Sequence, residues 1–258
     1  MDGRAVFRNA MSEAEEGAVL GGKEMTAEVR EHLFGLLGDF DKRDRSVIAR
    51  REEWRRFGYV LNANAEELDQ LLGAVDVGLP LPEGDAVAEV ERMIFNCAAA
   101  AHARIDHHRR AKTKESEEFK VEYEKAVTPL RNSDDHIILT GLRNYATHIG
   151  LTPVTYLGFP GLGSLDGFEF YMHRDELRRC SHFNTIRNRA ALDRQAPAIE
   201  VRPLVARYAE PAADQDEEVV RIFEKVYAEE LRADRDAWAV VLTAWTAAGF
   251  GAWLGARE

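Results

Sequence analysis

Apolar residues recur at three- and four-residue spacing along most of the chain, the pattern of amphipathic helices. Residues 24 to 57 carry Val29, Leu33, Leu36, Leu37 and Phe40 in that rhythm, with Val47, Trp54 and Phe57 after a charged break. A short helix is predicted over 62 to 72, with Asn62 or Asn64 as its cap. The Gly/Pro-rich stretch 78 to 85 interrupts the pattern. A long helix is then predicted from Asp85, with Val87, Val90, Ile94, Cys97, Ala98, Ala101 and Ile105 as its apolar stripe. Residues 117 to 126 continue helically toward Pro129. The next helix opens at Ser133, with Asp134 and Asp135 in its first turn, and stops near Gly150.

The rhythm changes after Pro153. Strand-like runs at 154 to 159 and 168 to 172 flank a Gly/Pro-rich turn, which predicts a β-hairpin over about 154 to 173. Gly158 to Gly167 lacks the Lys-Ser/Thr of a phosphate loop and reads as the hairpin's turn. Helices are predicted again at about 174–180, 183–191, 201–208 and 214–253. The fold expected is one mainly α domain, a helical bundle with a small β-hairpin insertion. It runs from 24 to 258 behind a loose arm at 1 to 23, with 78 to 85 as its one loop seam.

Composition narrows this picture. The chain has 258 residues, 45% apolar and 31% charged, enough for a real core. With 34 Lys+Arg against 45 Asp+Glu the net charge is −11, which excludes a uniformly basic nucleic-acid coat but not a local basic groove. Cys97 and Cys180 make neither a disulfide framework nor zinc-ligand spacing, so a reducing, cytoplasmic setting is expected. The first 23 residues have no secretory h-region. The run from Ala237 to Leu254 carries no charge and approaches the roughly 20 residues of a membrane span. Its Ala, Thr and Gly content favours a helix packed on the bundle, without stable membrane association.

The informative segment is Leu142-Arg143-Asn144-Tyr145-Ala146-Thr147-His148. At about 100° per residue, Ile138, Leu142, Tyr145 and Ile149 form one buried face. His136, Thr140, Arg143 and Thr147 line the opposite face, a polar row without Lys or Glu that suits an interface or cleft. Arg143 and His148 are five residues apart, so a regular helix separates them by roughly 140°. They converge only if the helix end loosens, or if a twofold dimer sets one copy beside another.

Arg143-Asn144 followed by His148 resembles the motif of the HEPN family, helical ribonucleases and nucleotide-binding proteins of toxin–antitoxin, CRISPR and anti-phage systems. Leu151 and Pro153 beyond it are similar to one bacterial subset. The resemblance implies a metal-independent endoribonuclease, toxin-like or defensive, working as a homodimer on RNA without a cofactor. A partner antitoxin or regulatory protein is implied too. A ribose 2′-hydroxyl would attack its own 3′-phosphate at the dimer interface. Arg143 would hold the charged phosphorane, His148 would move the proton, and Asn144 would fix the arginine or a phosphate oxygen. The competing expectation is a non-catalytic HEPN-like scaffold or ligand-binding module.

A basic stretch supplies candidate RNA contacts at Arg104, Arg109, Arg110 and Lys112; its alternative is a solvated face. His102 and Asp106 have the i, i+4 spacing of metal ligands, but further ligands are missing and arginines crowd them, so no metal is expected. Arg178, Arg179, Arg187 and Arg189 either extend the groove or pair with the acidic stretch 210 to 230.

Overall fold

The computed structural model describes residues 31–33, 35–36, 47–76, 86–150, 154–157 and 169–247. The arm at 1–23, most of 24–46, the seam 78–85, the hairpin turn and the end of the tail lie outside the described residues. Helices dominate: α1 (Val47–Arg56), α2 (Tyr59–Asp76), α3 (Ala86–Lys112), α4 (Glu117–Arg131), α5 (Asp134–His148), α6 (Arg174–Leu177), α7 (Ile186–Asp193), α8 (Val201–Val226) and α9 (Ala228–Ala247). A 3₁₀ turn, Ser181–Asn184, precedes α7. A small antiparallel sheet has the order β1 (Val154–Leu157), β2 (Glu169–His173), β3 (Ala198–Glu200). The mainly α fold with its hairpin is as the sequence predicts. The chain divides into two compact units, 53–226 and the pair of segments 1–52 with 227–258.

Local chemistry explains the helix starts. Ser116 and Ser133 cap α4 and α5, each hydroxyl accepting from a backbone N–H three residues on, with acidic residues in the first turn against the helix dipole. Asp134 and Asp135 have a second task, since Arg194 grips Asp134 at 2.6–2.7 Å and Arg207 reaches Asp135 at 3.0 Å. Both proposed caps of the second helix are corrected: α2 starts earlier, and Asn62 bonds the Gly58 carbonyl from inside its first turn.

Two further boundaries depart from expectation. α8 runs unbroken through Pro211, although proline removes one helical hydrogen bond. Its buried stripe holds it together: Leu204, Val205, Tyr208, Ala212, Val219 and Phe223. The predicted helix 214–253 instead breaks at Tyr227. β3 was missed because three residues show no alternation. In the unit formed by the chain's two segments, Arg50 lies over the Tyr227 ring and 3.5 Å from Glu230, while Leu231, Val241 and Trp245 are buried. Among the described residues no helix is long and apolar enough to cross a membrane.

The unit 53–226 has a charged knot in its interior. Arg104 of α3, 1% exposed, donates to the Asp216 carboxylate, to the Ala212 carbonyl at 3.0 Å and to Gln215 at 3.0 Å, all on α8. Gln215 in turn donates to the Ala126 carbonyl of α4 at 3.0 Å. His108, fully buried, sets Nε2 3.0 Å from the same carboxylate, and Trp54 packs on its ring. Burial works against the Asp216 charge, yet bonds from His108 and Arg104 hold its carboxyl below the usual range. A methyl on Gly58 would overlap that carboxylate, so the α1–α2 junction needs glycine there. Replacing Arg104 by Met should cost roughly 3–5 kcal/mol in urea unfolding, because Asp216 is left buried without its permanent cation, with only the His108 ring beside it. Arg104→Met combined with Asp216→Leu should recover much of that loss.

Candidate functional site

α5 carries the motif and is covered on more than one side. Ile138, Leu142 and Tyr145 are buried as predicted, whereas Ile149, expected with them, is 40% exposed. The helix stays regular to its end: the Ile149 N–H reaches the Tyr145 carbonyl at 2.8 Å. It therefore does not loosen between Arg143 and His148, which keep the wide angular separation of a regular helix.

The 3₁₀ turn Ser181–Asn184 packs on α5 at Gly141, where a methyl would overlap the Phe183 ring. This close approach places His182 over the motif. Arg143, half-buried, donates from Nη1 to Asn144 Oδ1 at 3.0 Å. Asn144 Nδ2 lies 3.3 Å from His182 Nδ1, and His182 Nε2 lies 3.1 Å from the Ile137 carbonyl. Asn188 of α7 donates to the His182 carbonyl at 2.8 Å. Arg143 and Asn144 are thus brought together, and His148 is exposed at the last position of the helix, apart from them. His182 went unnoticed because thirty-eight residues separate it from Asn144 and no periodicity marks a 3₁₀ turn.

The predicted basic rim is reduced. Arg104 is corrected outright: it is a buried ion-pair partner and not a surface contact. Lys112 pairs with Glu124 and sits over the Tyr123 ring. Arg109 is exposed and meets Asp106 at 3.2 Å, and Arg110 is exposed. The later arginines pair close by and not with the 210–230 acids. Arg178 bonds Asp175 and Asp193, Arg179 bonds Glu176, Arg187 bonds Asn132, and Arg189 bonds the Phe183 carbonyl. His102 and Asp106 lie 3.4 Å apart, and no group of three potential metal ligands gathers among the described residues. Two cavities open elsewhere in this unit. One of about 490 Å³ is lined by Gly58, Tyr59, Asp216 and Glu224, and one of about 350 Å³ by Leu68, Leu72, Val205 and Ala209.

Compared with family models, curated proteins and solved structures, the chain matches none. The functional reading therefore rests on the side chains themselves.

A second histidine is notable for its electrostatics. His136, at the amino end of α5, sets Nδ1 3.2 Å from the Tyr208 hydroxyl and stacks on that ring. Burial, then the positive charge of Arg104, brings its pKa down to about 4. Burial also lowers His108 and His182. A folded state that resists protonation binds fewer protons than the unfolded chain. Stability from these rings is therefore complete above pH 6.5 and is lost as the pH falls toward 4. Between pH 7.5 and 5, His136 alone should cost roughly 2 kcal/mol of unfolding free energy. Urea titrations at the two values check this, and His136→Gln should remove that share of the pH dependence.

Proposed function

We propose that the chain is a metal-independent endoribonuclease of the HEPN type, acting on RNA in the cytoplasm as a homodimer within a toxin-like or defence system under a regulatory partner. The observation that carries this reading is the held arginine: Asn144 fixes the Arg143 guanidinium at the edge of α5, while one turn on an imidazole stands exposed.

The chemistry follows from those groups. A base removes the ribose 2′-hydroxyl proton, O2′ attacks the adjacent phosphorus, and the bond from phosphorus to O5′ breaks. An acid protonates O5′, leaving a 2′,3′-cyclic phosphate and a free 5′-hydroxyl. Negative charge gathers on the phosphorane oxygens, where a planar guanidinium offers paired donors. His148 stands exposed at the carboxyl end of α5, and imidazole is the side chain suited to proton transfer near neutral pH.

One copy has its arginine and histidine on different sides of a regular helix. A twofold pairing of α5 helices answers this, because the second copy brings both groups again. One imidazole then serves as base and the other as acid. Arg109 and Arg110, exposed on α3, are the remaining candidates for guiding the RNA backbone.

Purified protein should cleave single-stranded RNA in EDTA and leave 2′,3′-cyclic phosphate ends. His148→Ala and Arg143→Ala should each slow cleavage about 100-fold or more while the helical circular dichroism is kept. Loss of activity in EDTA, or an undiminished His148→Ala protein, overturns the mechanism. Sedimentation should show a dimer at micromolar concentration. Mixing Arg143→Ala with His148→Ala chains should restore part of the activity, and a fully active monomer contradicts the shared site.

A further inference from the structure

We infer that His182 is a positioning residue: through the Asn144 amide it aims the Arg143 guanidinium at the scissile phosphate, and it does so only while its ring is neutral. The inference rests on the ribonuclease reading above, but its geometry is independent of it.

The Ile137 carbonyl selects the ring's state: Asn188 Nδ2 also lies 3.3 Å from Nε2, but it already donates to the His182 carbonyl at 2.8 Å. The Ile137 carbonyl can only accept, so the His182 nitrogen 3.1 Å away, Nε2, carries the proton. Nδ1 then holds a lone pair and accepts from Asn144 Nδ2 at 3.3 Å. That leaves Asn144 Oδ1 facing Arg143 Nη1, where it accepts at 3.0 Å. The opposite tautomer leaves the Ile137 carbonyl without this donor. It also turns the Asn144 amide nitrogen toward Arg143, donor against donor. Both ends of the relay therefore select one arrangement.

A second proton on the ring breaks it. Nδ1–H would face Asn144 Nδ2–H, and the amide would relax by turning over. Oδ1 would then serve His182, and the amide nitrogen would confront the guanidinium, which loses its acceptor. The titratable groups whose charge acts on His182 are His102 on α3 and His136 on α5; Arg187 and Arg189 on α7 are turned to Asn132 and to the Phe183 carbonyl. Burial, with the charge of His102, lowers the His182 pKa and favours the neutral ring, against the Ile137 hydrogen bond, which raises it. The anchoring is firm, since Phe183 closes on Gly141 and Asn188 holds the His182 carbonyl.

Two variants separate the roles. His182→Ala removes the relay. His182→Gln supplies a carbonyl for Asn144 and an N–H for Ile137 but cannot titrate. In ¹⁵N-labelled full-length protein, the Asn144 side-chain amide signals should shift along the His182 titration in the wild type and stay constant in His182→Gln. Single-turnover cleavage by His182→Ala at pH 7.5 should be slowed about tenfold. His182→Gln should be near wild type and lose the part of the acid-side decline that tracks the amide. Amide signals blind to the His182 titration overturn the inference. So does a His182→Ala enzyme with the wild-type rate and acid limb, which leaves the ribonuclease reading standing. If the wild type cleaves no RNA, that reading fails, while the amide titration still decides whether His182 governs Asn144.

Discussion

The interior of the unit 53–226 is organised around one buried charge pair. Arg104 and Asp216 sit where a bundle of this size would ordinarily place leucines. Neither ion is tolerable alone in that setting, because the desolvation cost of a single charge is several kcal/mol. The pair therefore imposes alignment. α8 must present Asp216, Gln215 and the Ala212 carbonyl together, and Gln215 must reach α4. Apolar packing alone would permit small slips of α8 along α3. A bidentate guanidinium contact does not, since a shift of one turn would leave every one of these groups without its partner.

The stripe on α3 shows what the sequence could and could not say. Val90, Ile94, Cys97 and Ala101 recur at spacings of four, three and four, and all are buried. Continuing the same spacing leads to Arg104 and then His108, which are buried as well. Position along the helix thus pointed inward, while residue type suggested a basic surface. Geometry prevails because α8 supplies a carboxylate on its own buried stripe. Asp216 was hidden within an acidic run, although Tyr208, Ala212, Gln215 and Val219 already traced the buried face that holds it.

The motif helix was legible for a different reason. Its cap, its acidic first turn and three of its four proposed core positions follow from local spacing, which needs no knowledge of the rest of the fold. What surrounds it does not. The support from His182 and Asn188 depends on a turn that comes after the hairpin and lacks a repeating pattern of its own. Gly141 offered the one available sign: a glycine in the middle of a strong helix implies that something packs close, here Phe183.

The Arg104–Asp216 contact spans 112 residues of chain. A ribosome adding about 5–20 residues per second takes on the order of 6–20 seconds to cover that distance. During this interval α3, α4 and α5 have emerged, but the guanidinium on α3 has no counterion. A compact nascent intermediate that enclosed this cation before α8 arrived would carry a desolvation cost of several kcal/mol. Arrival of α8 is then the event that permits closure. This ordering couples the two halves of the unit into one cooperative step and discourages premature collapse of the amino-terminal helices during synthesis.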